Sequence, residues 1–185
     1  MPVKLLAGLL SGDTDLLARA RQLLSREFGP VDLASDIWPF THTDYYTAEM
    51  GPHLQRCFLS FERLMAPARL PEIKLCTNAL EQRLADECLA PECARPVNID
   101  PGYLDLAKLI LATTKDHGHR VYLDQGIYAE VTLRYAGGAW QPWPWTYPDY
   151  RQPEYHAFFD RVRSAYRAQR QALPQWPAPA DGDHA

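Results

Sequence analysis

No hydrophobic run in this sequence approaches the roughly 20 residues that a helical membrane span requires. Met1-Pro2-Val3-Lys4 lacks the pattern of a secretory signal, so the expected setting is the cytoplasm with no membrane partner. Basic residues are not in excess. Lys and Arg total 19 against 23 Asp and Glu, giving a formal net charge of −4 and a pI near 5.8. That balance argues against nucleic acid as a partner but leaves room for a small anion held by two or three local cations. Cysteine is scarce. Cys57, Cys76, Cys88 and Cys93 form no C-x-x-C pair and have no companion His spacing, so reduced thiols are expected, with no zinc site and no disulfide set. Internal repeats are absent, and the residues name no cofactor and no oligomeric state.

What is present suits a globular chain: 185 residues, 46% hydrophobic and 23% charged. One α+β domain is expected over residues 1–173, with residues 174–185 a disordered Pro/Ala/Asp tail. Lys4 to Leu10 reads as a buried strand. Asp13 reads as the N-cap of a helix striped by Leu17, Ala20, Leu24 and Phe28 and stopped at Gly29-Pro30. Capping accounts for Ser11-Gly12-Asp13 better than a phosphate-binding turn does, because one glycine is not a glycine-rich loop. Val31 to Phe40 is extended, and His42, Asp44, Tyr45 and Tyr46 follow in a polar, aromatic connection. Leu54 to Leu64 alternates as a strand with Cys57, Leu59 and Phe61 on one face. Pro71 opens a helix carrying Ile73, Cys76, Leu80 and Leu84, and Val97-Asn98-Ile99 is extended. This order predicts a ferredoxin-like β-α-β-β-α-β core.

Beyond it, Asp100-Pro101 reads as an N-cap followed by proline at the first helical position, opening a central helix that Lys115 closes at its C-terminal end. A three-stranded antiparallel meander and a C-terminal helix from Pro153, buried through Tyr155, Phe159, Val162 and Tyr166, complete the expected fold. The densest chemistry lies in the hairpin. A three-residue loop Asp124-Gln125-Gly126 pairs Leu123 with Ile127, Tyr122 with Tyr128, Val121 with Ala129 and Arg120 with Glu130. One face is then apolar (Val121, Leu123, Ile127, Ala129, Val131 and Leu133), with His119 also falling opposite Val131. The other face collects Arg120, Tyr122, Tyr128, Glu130, Thr132 and Arg134. A solvated sheet surface with an Arg120–Glu130 pair is the plain alternative.

Several segments carry a resemblance: Asn98-Ile99-Asp100-Pro101-Gly102-Tyr103, Thr113-Thr114-Lys115-Asp116, His119 to Leu123, Gly126 to Tyr135, Trp145 to Arg151 and Phe58 to Glu62. Together, in their order along the chain, they resemble the bacterial family of unknown function numbered 4416. The resemblance spans roughly Lys4 to Tyr166 and implies a prokaryotic protein. It brings no activity or site residue with it.

The functional expectation therefore rests on the residues. A binder or enzyme acting on a small phosphorylated or carboxylated metabolite would hold the anion with Arg120 and Arg134, helped by Tyr122, Tyr128, Thr132 and Arg151. Glu130 would be the general base, with Lys115 or His119 assisting. The alternative is a non-catalytic protein-interaction module. RNA binding on the sheet ranks third, because the strands before the hairpin carry Phe58 and Trp38 but little positive charge. The aromatic segment from Trp140 to Tyr150 reads as loop packing before it reads as a stacking surface.

Overall fold

A computed structural model describes residues 1–41, 47–88 and 95–173. His42, Asp44, Tyr45, Tyr46, Cys93 and the 174–185 tail lie outside the described residues.

The chain begins with β1 (Val3–Ser11), buried along its whole length, and α1 (Thr14–Phe28). The Asp13 carboxylate caps α1 by accepting from the backbone N–H groups of Asp15 and Leu16 at 2.7 and 3.4 Å. Gly29 ends it with φ at 96°, a conformation that favours glycine. Next come β2 (Val31–Ala34), the two-residue β3 (Trp38–Pro39), a single helical turn α2 (Thr47–Met50) and β4 (Gln55–Met65). The predicted alternation holds in β4: Cys57, Leu59 and Phe61 enter one core and Phe58 the other. α3 (Leu70–Glu87) follows a short 3-10 turn.

The predicted central helix does not form. Its residues make β5 (Val97–Leu104) and β6 (Lys108–Thr113), joined where the Asp105 carboxylate accepts from the N–H groups of Ala107 and Lys108. An apolar pattern all round a segment fits a buried helix, and it fits equally a strand covered on both faces. Here Leu104, Leu109 and Leu111 enter one core while Ile99, Ile110 and Ala112 enter the other. Pro101 sits one residue beyond the β5–β6 pairing, a sheet position that tolerates a missing N–H. Gly102 is required by close approach, since a Cβ there would lie 2.1 Å from the Ile110 carbonyl oxygen.

β7 (Val121–Asp124), β8 (Ile127–Ala136) and β9 (Ala139–Pro142) follow, and α4 (Pro153–Ala172) buries Tyr155, Phe159, Val162 and Tyr166 as predicted, with Phe158 added. The strands form one antiparallel sheet in the order β2-β4-β1-β5-β6-β8-β7, with β3 on β4 and β9 on β8. Because β6 occupies one edge of β8, β7 and β9 share the other, unlike a meander with its middle strand between two neighbours. α1 and α3 cover one face and α4 the other. Among the described residues no helix is long and apolar enough to cross a membrane.

The hairpin register is partly as predicted. Val121 pairs with Ala129 and Tyr122 with Tyr128, but Asp124 pairs with Ile127 around a two-residue loop in which Gln125 and Gly126 take φ of 51° and 76°. Leu123 is bulged out between these pairs, which lets the two-residue loop coexist with the Tyr122–Tyr128 pair. A second bulge at Thr132 turns Leu133 away from Val131, so the predicted six-residue apolar face divides. Ile127, Ala129 and Val131 join the α1/α3 core, Leu133 joins the α4 core, and Val121 and Leu123 are exposed on the edge strand.

Candidate functional site

Two charged clusters lie on the α4 face, under the segment from Trp143 to Arg151. The first is the predicted one. Glu130 on β8 is buried, and its Oε2 accepts from Arg120 Nε at 2.9 Å and contacts His119 Nε2 at 3.1 Å. His119 is not on the strand as predicted. It sits in the turn closed by the Arg120 N–H donating to the His117 carbonyl, and this turn swings the imidazole to Glu130. The Arg120 side chain is only 4% exposed, and its other donors go to the Lys115 carbonyl at 3.0 Å and the Tyr147 hydroxyl at 2.8 Å. Thr132 Oγ1 lies 3.4 Å from Glu130 Oε1.

The remaining predicted site residues lie around this pair. Arg134 donates to Gln141 at 3.1 Å and stands over the Trp143 ring at 4.7 Å. Arg151 donates to the carbonyls of Trp143, Pro144 and Thr146, fixing the covering segment. Tyr122 and Tyr128 pack edge-to-face at 5.5 Å, with Tyr122 largely exposed. The structure thus brings Glu130, His119 and Arg120 into contact and uses Arg134 and Arg151 to hold the aromatic segment.

That segment forms a stack. His117, His119, Trp145 and Trp143 follow one another at 5.7, 5.3 and 5.2 Å between ring centroids, with interplanar angles of 14°, 15° and 3°. Arg134 closes the far end. The Trp145 indole N–H donates to the Val131 carbonyl and Thr146 Oγ1 to the Thr132 carbonyl, so the bulge in β8 supplies the anchor points.

The second cluster was not foreseen. Arg56 on β4 is buried at 3% exposure, with Nη1 3.5 Å from Asp100 Oδ2 and Nη2 3.5 Å from Asp149 Oδ2. Gly8 makes this possible. A Cβ there would meet Phe58 Cε1 at 3.0 Å and Arg56 Nη1 at 3.3 Å, so the bare backbone leaves the lane by which Arg56 crosses β1 to reach β5. Asp100 is therefore no helix cap. Its Oδ2 accepts from Asn98 Nδ2 at 2.6 Å, and its Oδ1 lies 3.6 Å from Lys74 Nζ. Lys74, buried on α3, also donates to the Ile99 carbonyl. Behind them Glu81 accepts from Arg95 and from the Ile99 N–H at 2.7 Å.

The electrostatics are coupled. Burial by itself would raise the Asp100 carboxyl, but Lys74 and Arg56, with the Asn98 hydrogen bond, hold it below the usual carboxylate range. Burial would lower Arg56, and the surrounding tyrosines and carboxylates hold it above its ordinary value. Burial pushes the Tyr150 hydroxyl well up, against the opposing charge of Arg56. Arg56 Nε and Nη1 and the Tyr150 hydroxyl find no hydrogen-bond partner among the described residues. Burial likewise pushes the Tyr155 hydroxyl up, against the opposing charge of Arg56.

The clusters share one face. Gly102 pairs with Leu111 and Leu111 with Glu130, and Asp100 lies two residues from Gly102 along β5. Strand spacing and rise separate the Asp100 and Glu130 backbones by roughly 12 Å. The covering segment touches both, Tyr147 receiving Arg120 and Asp149 facing Arg56. The signal for Arg56 and Lys74 was thin, because a lone Arg in a strand and a lone Lys in a helix read as surface residues. Among the described residues no group of three or more His, Cys, Asp or Glu side chains could hold a metal ion. A groove beside α1 lined by Arg21, Gln22, Arg26 and Val31 contains none of these site residues.

Together the sheet and its covered polar strip define an α+β protein with a buried-charge site on one face. Residues 1–166 match the family described as domain of unknown function DUF4416, and the chain belongs to that family. No curated protein and no solved structure matched the chain.

Proposed function

We propose that this protein binds a small phosphorylated or carboxylated metabolite that also carries hydroxyl groups, on the strip between Arg56 and Glu130. The observation that carries the reading is Arg56, a buried guanidinium with two nitrogens lacking hydrogen-bond partners among the described residues. Leaving such donors buried and unbonded costs about 1–3 kcal/mol each, which an anion's oxygens would recover. Asp100 and Asp149 stand beside it as acceptors for hydroxyls, and Asp100 keeps 27% of its side-chain surface open. Arg56, Lys74 and Arg120 stand against Asp100, Asp149 and Glu130 on or beside the strip, so local cations are at hand on a chain of net charge −4.

The test is a thermal-shift titration of the full chain with inorganic phosphate, sugar phosphates and hydroxy acids. A ligand at 100 times its Kd stabilises by about 2.7 kcal/mol, a rise of roughly 5–10 °C for a chain of this size. Arg56→Lys keeps the charge and removes the fork, and should abolish that response in a protein that still melts cooperatively. An undiminished response in Arg56→Lys would refute the site.

We also read β1-α1-β2-β4-α3-β5 as a ferredoxin-like unit. The support is the antiparallel order β2-β4-β1-β5 with α1 and α3 on one face. That scaffold hosts many functions and leaves the ligand undecided. A protein-interaction role is favoured by one feature, the edge strand β7, where Val121 is 66% and Tyr122 56% exposed. Concentration-dependent light scattering in Val121→Lys and the parent chain would test for self-pairing along that edge.

A further inference from the structure

We infer that the same strip is catalytic, with His119 accepting a proton at Nδ1 and Glu130 acting as its positioning residue. The inference rests on the binding reading only for the source of the proton, a hydroxyl or activated C–H of the bound anion.

The geometry exchanges the roles that the residue types suggest. Glu130 is buried, and both its close contacts, Arg120 Nε at 2.9 Å and His119 Nε2 at 3.1 Å, fall on the single oxygen Oε2. A carboxylate already held by a guanidinium and enclosed by the sheet is poorly placed to take a proton from a ligand. His119 is better placed, with 26% of its side chain exposed and no hydrogen bond to Nδ1 among the described residues.

Three contacts fix the ring. His117 and Trp145 stack on its faces at 5.7 and 5.3 Å, and Glu130 holds one edge. A carboxylate at Nε2 selects the tautomer that carries its hydrogen there and leaves the Nδ1 lone pair free. When Nδ1 takes a proton the ring becomes an imidazolium, whose new charge faces Glu130 through the retained Nε2–H. The pairing resembles the general arrangement in which a buried carboxylate orients a histidine base. A histidine needed only for packing would not require its tautomer to be chosen.

Long-range ¹H–¹⁵N spectra of the full chain labelled at histidine, assigned with His119→Gln, read the tautomer directly and need no ligand. Read at alkaline pH, where imidazoles are neutral, the expected result is hydrogen on His119 Nε2, giving way to a tautomer mixture in Glu130→Gln. An Nδ1–H tautomer, or one unmoved by Glu130→Gln, would overturn the inference. Diethylpyrocarbonate labelling supplies the second measurement. His119 should react several-fold faster than His156, whose Nε2 lies 2.8 Å from the Tyr150 carbonyl, and any phosphate or hydroxy acid that stabilises the chain should suppress that reaction. Stabilisation without protection of His119 would defeat this inference and leave the binding reading standing. Absence of stabilisation by every anion would defeat the binding reading, and a slow, His156-like reaction of His119 would then defeat the dyad on its own.

Discussion

Under α1 and α3 the sheet presents Leu5, Ala7, Leu9, Leu59, Phe61, Ile99 and Ile110, packed against Leu17, Leu24, Ile73 and Leu84. Under α4 the same strands present Lys4, Arg56, Asp100 and Glu130 among Phe58, Tyr150, Tyr155 and Phe159. Both faces are buried, but they use burial differently. The aliphatic face gains from removing surface from water, and its residues are exchangeable for others of similar volume. The aromatic face buries charges whose desolvation must be offset by particular partners: Lys4 by Asp32 and Gln169, Arg56 by Asp100 and Asp149, Arg120 by Glu130. The comparison teaches that stability alone is a weak reason for the charged face, since apolar residues of similar volume would often be as stable or more so.

Arg56→Ala should produce the largest effect. It strands two carboxylates and should cost about 3–5 kcal/mol in urea unfolding. A loss below 1 kcal/mol would mean that solvent reaches these charges and that the faces do not differ as described. Ile73→Ala on the other face should cost about 2–5 kcal/mol through cavity formation, and that loss should be the same at pH 4 and pH 8 because no ionisable group is involved. A pH-dependent loss there would erase the contrast.

Gly102→Ala should cost about 1–3 kcal/mol or more, because the new methyl meets backbone and cannot be relieved by a side-chain rotation. A neutral outcome would show that β5 and β6 separate easily. Asp100 then sharpens the electrostatic side. Its carboxyl is held low in the folded protein, so its contribution is complete above the unfolded value of about 4 and is lost as pH falls through the folded value. The melting-temperature gap between the parent and Asp100→Asn should be constant above about pH 5 and narrow towards pH 3. A gap that widens on acidification would reverse the assignment. Tyr122→Ser on the exposed β7 should change stability by no more than about 0.5 kcal/mol, and a larger loss would show that this edge is covered in solution.

Local chemistry alone made several elements legible. Asp13 caps α1 and Gly29 ends it because those signals act within one turn of helix. The alternation of β4 and the stripe of α4 show directly which side chains are buried. The Tyr122–Tyr128 pairing was readable because its partners flank one turn, although the three-residue loop predicted for it is a two-residue loop with Leu123 bulged out. Glu130, Arg120 and His119 were named as a group for the same reason, being close in sequence.

Long-range packing decided the remainder. Residues 100–113 carry a cap signal and an apolar pattern suited to a helix, yet the two-sided burial available between β1 and β8 makes them strands. The Thr132 bulge, set by pairing with β6 and by the Trp145 and Thr146 hydrogen bonds, places Leu133 and Glu130 on one face where strict alternation separates them. Arg56, Lys74 and Asp149 become a site only when β4, α3 and the turn at Asp149 converge on Asp100. Sequence determines which side chains can carry charge and where the chain turns. Which charges meet in the interior depends on desolvation and pairing between residues distant along the chain, and those energies exist only once the sheet is assembled.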